Sequence, residues 1–324
     1  MIELTLDELR EAARAVYAVM PPTPQYAWPL LARAAGCEVW VKHENHTPIA
    51  AFKLRGGIVY LADVRAREPG CAGVVAATRG NHGQSIALAA SRAGLRAVIV
   101  VPEGNNPEKN DAMSAQGAEL VVEGADFQAA LEHARGLAEA EGLHMVPSFD
   151  RLLVKGVASY ALELLEGAPP LDAVYVPIGL GSGICGVIGA RDALGLKTRV
   201  VGVVSDRAAC YSLSLQRNTL VRTDSALTFA DGMAVRTPDP AALEIIRRGA
   251  ERVVEVSDDE VAEAIRILFS DTHSTAEGAG AAALAGFIKN KTDGEKRVAV
   301  ILTGQNIDRP VMQEVLAGRT PRVA

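Results

Sequence analysis

Lys53 lies in the run His43-Glu44-Asn45-His46-Thr47-Pro48-Ile49-Ala50-Ala51-Phe52-Lys53-Leu54-Arg55-Gly56-Gly57. Small and aromatic residues precede it, and the pattern predicts a helix starting there. An ammonium that loses solvent on folding has a lowered pKa, and the freed amine is a nucleophile and a base. Such a lysine can form a Schiff base with a carbonyl cofactor. An ordinary helix lysine reaching out to solvent has the same local sequence, so two further segments decide the matter.

The first is Thr78-Arg79-Gly80-Asn81-His82-Gly83-Gln84-Ser85. It follows an apolar run, Ala72 to Ala77, that reads as a buried strand, and precedes Ile86 to Ala90, which reads as a helix. Two glycines bracket Asn81 and His82, so polar side chains are presented on a strand-to-helix turn. The second is Pro177-Ile178-Gly179-Leu180-Gly181-Ser182-Gly183-Ile184, again after an apolar strand. Glycines there let backbone amides close around a phosphate at a helix N-terminus, where the dipole favours an anion.

Together these segments resemble the fold-type II pyridoxal-phosphate enzymes, and within them the threonine/serine dehydratase family. Thr23-Pro24 and Val41-Lys42-His43-Glu44-Asn45 look like that family's opening. Ala51-Phe52-Lys53-Leu54-Arg55-Gly56 is similar to its cofactor-lysine motif, and Gly80-Asn81-His82-Gly83-Gln84 to its Gly-Asn-His-x-Gln loop. Ala230-Asp231-Gly232, Ala276-Glu277-Gly278-Ala279-Gly280 and Leu302-Thr303-Gly304-Gln305-Asn306 follow in the family's order.

The resemblance implies pyridoxal 5'-phosphate as cofactor and a small amino acid as substrate. Lys53 would carry the cofactor, exchange it for the substrate amine, and then act as general base at Cα. Phe52 would pack near the cofactor ring and Asn81 would bind its hydroxyl. Gly179, Leu180, Gly181, Ser182 and Gly183 would hold the phosphate, with Ser182 able to add a hydroxyl donor. Thr303 would face the pyridine nitrogen. A neutral hydroxyl there cannot keep the ring protonated, which favours prompt loss of a β-leaving group over transamination; Glu277, the nearby carboxylate, would weaken that argument if it pointed at the nitrogen. Thr78 and His82, with Asn81, would position the substrate carboxylate. The implied reaction is β-elimination from a 3-hydroxy amino acid, giving a 2-oxo acid and ammonia. Threonine and serine are the default substrates, with 3-hydroxyaspartate and 3-phenylserine as competitors.

Three departures from the family pattern matter. Ala51 stands where a serine is usual, removing one hydroxyl. Arg79 occupies a position that is usually small, and that in related serine racemases holds an acid/base serine; arginine is a poor proton shuttle. Arg79 could instead pair with a distal substrate carboxylate, or turn outward to a surface acid. Metal-dependent relatives carry two acids where this chain has Val204 and Cys210, so no divalent metal is expected. The remaining alternatives are a racemase or β-replacement enzyme on the same cofactor, a non-catalytic ligand-binding α/β protein, and a dinucleotide enzyme. The last rests on Gly181-Ser182-Gly183-Ile184-Cys185-Gly186, a literal G-x-G-x-x-G, with Asp206 after the next strand.

The elements needed to position these residues are legible. Apolar residues make up 49% of the 324-residue chain and aromatics only 4%, which suits closely packed α/β layers. Strands are predicted at 38–43, 73–77, 97–101, 118–122, 144–147, 173–177, 199–204 and 298–302, with helices filling most gaps. Thr5-Leu6-Asp7-Glu8 and Ser257-Asp258-Asp259-Glu260 read as capping boxes. Continuous apolar strands alternating with helices predict parallel sheets covered on both faces. The resemblance implies two domains, each a mostly parallel twisted sheet flanked by helices: a large cofactor-binding domain of 1–45 plus 147–324, and a small domain inserted at 46–146. The cofactor would lie between them.

The net charge of −6 leaves no basic stripe for nucleic acid or anionic membrane. No apolar run is long enough to span a bilayer, and the acidic start, Met1-Ile2-Glu3-Leu4-Thr5, lacks a signal-peptide pattern. Cys37, Cys71, Cys185 and Cys210 show no CxxC spacing and read as small buried residues in a reducing cytoplasm. The six histidines form no HExxH pattern; His43 and His46 lack a second ligand pair. A homodimer is expected from the family alone. The chain stops soon after the Thr303 motif, so allosteric control through a C-terminal extension is not expected.

Overall fold

The computed structural model describes residues 4–322; the first three residues of the acidic start lie outside them. The chain builds two sheets. Strands β1 (Gln25–Ala27), β2 (Glu38–His43), β7 (Ala173–Pro177), β8 (Arg199–Ser205), β9 (Arg252–Val256) and β10 (Arg297–Leu302) form a six-stranded sheet in the order β1-β2-β10-β7-β8-β9. Strands β3 (Val74–Ala77), β4 (Ala97–Val101), β5 (Glu119–Val122) and β6 (His144–Met145) form a four-stranded sheet in the order β5-β4-β3-β6. All pairings are parallel except β1 with β2. The fold class is therefore the α/β arrangement expected. Every residue of β3, β4 and β7 is buried, as apolar strands covered on both faces require.

Two strands escape the periodicity. β1 is a three-residue edge strand beside prolines, and β9 is an edge strand whose Arg252 and Glu255 interrupt its apolar run. β6 keeps only two residues of the expected 144–147. Both capping boxes form as read, each stabilising its helix by about 1 kcal/mol.

The order of the strands creates two crevices. In the large sheet the chain leaves β7 toward β8 on one side, while β10 lies on the other; in the small sheet β3 stands likewise between β4 and β6. Such switch points open a gap beyond the carboxyl ends of the strands, where ligands bind. β7 runs into the glycines at 179–183, β10 into Thr303, and β3 into Thr78 and Asn81.

The helix Lys53–Arg67 links the two halves. It crosses the helix Arg151–Gly167 so closely that a Cβ on Gly156 would run into the carbonyl of Arg55. Arg55 has no exposed surface. Its Nε donates to Glu44 Oε2 at 2.7 Å, and its terminal nitrogens donate to Glu163 at 2.6 and 2.9 Å and to Ser159 at 2.9 Å. Lys42 Nζ also reaches Glu163 Oε2, at 2.5 Å. Burial alone would raise the Glu163 carboxyl, but Arg55 and Lys42 hold it below its ordinary value.

Taking one partner from this network leaves a buried charge uncompensated, which costs roughly 3–5 kcal/mol. Arg55→Met is expected to lower unfolding free energy by about that much in urea titrations followed by circular dichroism. Arg319→Met, which removes an exposed pair with Glu314 at 3.3 Å, is expected to change it by less than about 1 kcal/mol.

Candidate active site

Lys53, Asn81, Ser182 and Gly278 are each the first residue of a helix, and none of these four helices has a side-chain cap at its N-terminus. Uncapped N-termini carry partial positive charge, which favours anions and disfavours a lysine ammonium. The Lys53 amine sits over the Phe52 ring, 4.7 Å from its centroid. Burial lowers its pKa from the ordinary 10.5, opposed by the nearby Glu277 and Asp231 carboxyls. By exposed surface the Lys53 side chain is half-buried.

The backbone before Lys53 is laid against the strand exit that carries Thr303. Phe52 N donates to Thr303 O at 3.0 Å, Gln305 N to Ala50 O at 3.0 Å, and Ala51 bridges Gly304. Ala50 is held with φ at 57°, a left-handed conformation that costs a non-glycine residue on the order of 1 kcal/mol. The Thr303 hydroxyl is buried and donates to Ala279 O at 3.4 Å.

Asn81 is the hub of the polar groups. Its Nδ2 donates to both Glu277 oxygens, at 2.8 and 3.1 Å, and its Oδ1 accepts from Asn306 Nδ2 at 2.7 Å. Glu277 is thus hydrogen-bonded to the Asn81 amide, and its carboxylate packs against Gly304, next to Thr303. Burial, then the Asp231 charge, raises its pKa to about 7, with Asn81, Lys109 and Lys53 opposing. Asp231 is a second carboxylate in this neighbourhood, beyond the Glu277 that the motifs emphasise. The Ala230-Asp231-Gly232 motif names it, but its approach to Glu277 shows only in three dimensions.

The glycine segment forms a cradle. Gly181 caps the helix Ser182–Ala193 with φ at 103°, where only glycine is comfortable. A Cβ on Gly179 would run into the carbonyl of Gly232. Tyr211 Oη donates to Leu180 O at 2.8 Å and Tyr160 Oη to Gly183 O at 3.1 Å, fixing the loop from behind. A Cβ on Gly183 would lie 3.8 Å from Phe52 Cε2, so the cradle adjoins the lysine.

Thr78 is buried, and its hydroxyl accepts from Gly80 N at 3.1 Å. The His82 ring has a buried Nε2 with no hydrogen-bond partner. Arg79 is exposed and makes no ion pair among the described residues. Lys53, Phe52, Asn81, His82, the cradle and Thr303 thus come to the facing ends of the two sheets. A desolvated lysine, a glycine cradle at a helix N-terminus and an orphaned imidazole nitrogen fit a phosphorylated aldehyde cofactor such as pyridoxal phosphate.

Val204 and Cys210 are both buried among apolar groups, and no set of three or more metal-ligating side chains gathers among the described residues. His43 meets Trp28 and His46 edge-to-face. All four cysteines are free; Cys185 and Cys210 are buried, but Cys37 and Cys71 are only half-buried, contrary to expectation. Gly186, the third glycine of the apparent dinucleotide fingerprint, packs against Ala158.

Residues 17–304 match the family described as pyridoxal-phosphate dependent enzyme. The L-threonine ammonia-lyase of Thermotoga maritima is 33% identical over 97% of this chain and 78% of its own length. The L-threonine dehydratase biosynthetic IlvA of Pasteurella multocida is 33% identical over 90% of this chain; the chain spans only 58% of that relative. The processed threonine deaminase isoform 2 of Solanum lycopersicum superposes with a TM-score of 0.89 at 30% identity, covering 97% of this chain and 89% of that one. The dinucleotide reading of Gly181 to Gly186 is thereby overturned.

Burial, with the Lys53 charge adding to it, depresses the His82 pKa from 6.5 to about 4. Between those values the unfolded chain binds a proton that the folded one does not, so this group makes stability fall as pH drops from 6.5 toward 4. Nitrogen-15 NMR of the cofactor-free protein is expected to find His82 neutral at pH 5.5. Lys53→Met should raise its pKa by less than one unit, because burial and not the lysine is the larger cause.

Proposed function

Because the chain belongs to the pyridoxal-phosphate-dependent enzymes and, within them, to the threonine ammonia-lyase family, we propose that it eliminates water from a 3-hydroxy amino acid and releases ammonia and a 2-oxo acid. The observation that carries this reading is the Lys53 amine, desolvated over Phe52 beside Asn81 and Glu277. Pyridoxal phosphate, when bound, supplies the carbonyl that links to the substrate amine and the electron sink that acidifies its Cα–H.

Lys53 holds the cofactor and then takes the proton from the substrate Cα, a role its lowered pKa suits. Gly179, Leu180, Gly181, Ser182 and Gly183 receive the phosphate, and Phe52 packs near the ring. Asn81, oriented by Glu277 and Asn306, would bind the ring hydroxyl. Thr303 would offer the ring nitrogen a neutral hydroxyl, which would favour elimination over transamination, with the Glu277 carboxylate engaged by Asn81. Thr78, Asn81 and His82 position the α-carboxylate.

Threonine and serine are the default substrates. Arg79, one residue from the buried Thr78 and exposed without an ion pair among the described residues, could take the distal carboxylate of 3-hydroxyaspartate, and it speaks against a serine-type racemase, since a guanidinium does not shuttle protons at neutral pH. Residues 46–146, which contribute the four-stranded sheet, form the proposed small domain; 1–45 and 147–324 form the large one. A homodimer and a cytoplasmic location complete the reading. Exposed Tyr26 and Leu30 near edge strand β1 offer apolar surface for the dimer, and four free thiols suit a reducing compartment. No helix among the described residues is long and apolar enough to cross a membrane.

The test is ammonia release from threonine, serine, 3-hydroxyaspartate and 3-phenylserine by the cofactor-loaded protein. Lys53→Ala is expected to abolish turnover, and exhaustive chelation to leave it intact. Arg79→Ser is expected to lower kcat/KM for 3-hydroxyaspartate by roughly tenfold or more while changing that for serine only slightly, as loss of a charge-assisted pair implies. No ammonia from any of the four would refute the proposal.

A further inference from the structure

Lys109 lies on the helix Pro107–Ala115, which leads into the four-stranded sheet. Its side chain is only 15% exposed, yet its partners belong to the other half of the molecule. Its Nζ is 2.5 Å from Asp231 Oδ2, on the short 3-10 turn Asp231–Met233. It is 3.6 Å from Asp308 Oδ1, in the segment that follows β10. The lysine stem covers the turn that carries Asn81: a Cβ on Gly80 would lie 3.4 Å from Lys109 Cδ. A second, exposed contact joins the same two faces, Arg309 Nε to Glu108 Oε1 at 3.9 Å.

We propose that Lys109 is a positioning residue: its ammonium clamps the Asn81 turn to the Asp231 turn and neutralises Asp231 beside Glu277, so that Asn81 stays oriented.

The charges around Glu277 give this its logic. Asp231 faces it as a like charge, Lys109 as a cation, Lys53 as a cation only while its amine is free and protonated, and Asn81 as a neutral donor. Asp308 pairs with Lys109 at 3.6 Å. Burial opposes the Lys109 charge, but Asp231, Asp308 and Glu277 together raise its pKa above the ordinary 10.5, so it remains an ammonium. Without that cation, Asp231 would push Glu277 toward its protonated form. A protonated carboxyl gives up an acceptor site on one oxygen and cannot serve both contacts from Asn81 Nδ2 equally well. The clamp therefore acts on the chemistry through Glu277 and Asn81. This consequence rests on the role proposed above for Asn81.

The test compares Lys109→Met and Lys109→Arg in the full-length, cofactor-loaded protein. The titration of Glu277 is followed by carboxyl carbon-13 NMR, assigned with Glu277→Gln, and hydrogen exchange is read over residues 106–115 and 228–234. Lys109→Met is expected to move the Glu277 midpoint upward by about one pH unit, a tenfold change in proton affinity. Exchange should quicken in both segments but not in β7, and the acidic limb of kcat/KM should move to higher pH, with KM rising more than kcat falls. Lys109→Arg should restore all of these. Asp231→Asn should move the Glu277 midpoint the opposite way, downward, and keeps the electrostatic claim testable if Lys109→Met does not fold. An unchanged Glu277 midpoint and unchanged exchange in Lys109→Met would overturn the proposal, as would an Arg variant that behaves like Met. The titration and exchange do not depend on the substrate, so failure to find one would leave them readable.

Discussion

A guanidinium with no exposed surface must be met by acceptors on every side, and Arg55 is met from two separate segments of the chain. Glu44 follows β2, while Ser159 and Glu163 lie on the helix Arg151–Gly167. Arg55 is two residues beyond Lys53, so the network that satisfies its charge also fixes the helix that begins with that lysine. The cost of leaving any of these charges unpaired in the interior makes the arrangement all-or-none. The small sheet and the large one are consequently held in one relation at the point where chemistry is proposed to occur.

The site is built from ends. Strand exits at β3, β7 and β10 deliver Asn81, the glycine cradle and Thr303, and uncapped helix N-termini begin at Lys53, Asn81, Ser182 and Gly278. Each uncapped terminus leaves backbone donors available to an anionic ligand. The same positive ends, together with burial, work against a charged Lys53. One geometric device thus serves two requirements of the chemistry: a cradle for a phosphate and an amine that can be neutral.

The parts of this that depend on local sequence were readable in advance. Buried parallel strands read as continuous apolar runs, the two capping boxes have an unambiguous spacing, and Ala51-Phe52-Lys53, Gly80-Asn81-His82 and Gly179 to Gly183 are contiguous motifs. Features that arise from distant segments meeting were not. Edge strand β9 is interrupted by Arg252 and Glu255, so its periodicity is weak. The left-handed Ala50 carries no glycine to announce it. The Glu277 carboxyl bonded to Asn81, and Asp231 bridged by Lys109, join residues more than a hundred positions apart, and no spacing rule connects them.

The central claim is that Lys53 is the amine that binds pyridoxal phosphate covalently. The most direct measurement is the visible absorption spectrum of the purified protein before and after borohydride, followed by peptide mapping of the reduced sample. A yellow absorption band that borohydride bleaches is expected, with the cofactor trapped on the peptide containing Lys53. A protein that stays colourless after pyridoxal phosphate is added, or a label on any other lysine, would contradict it.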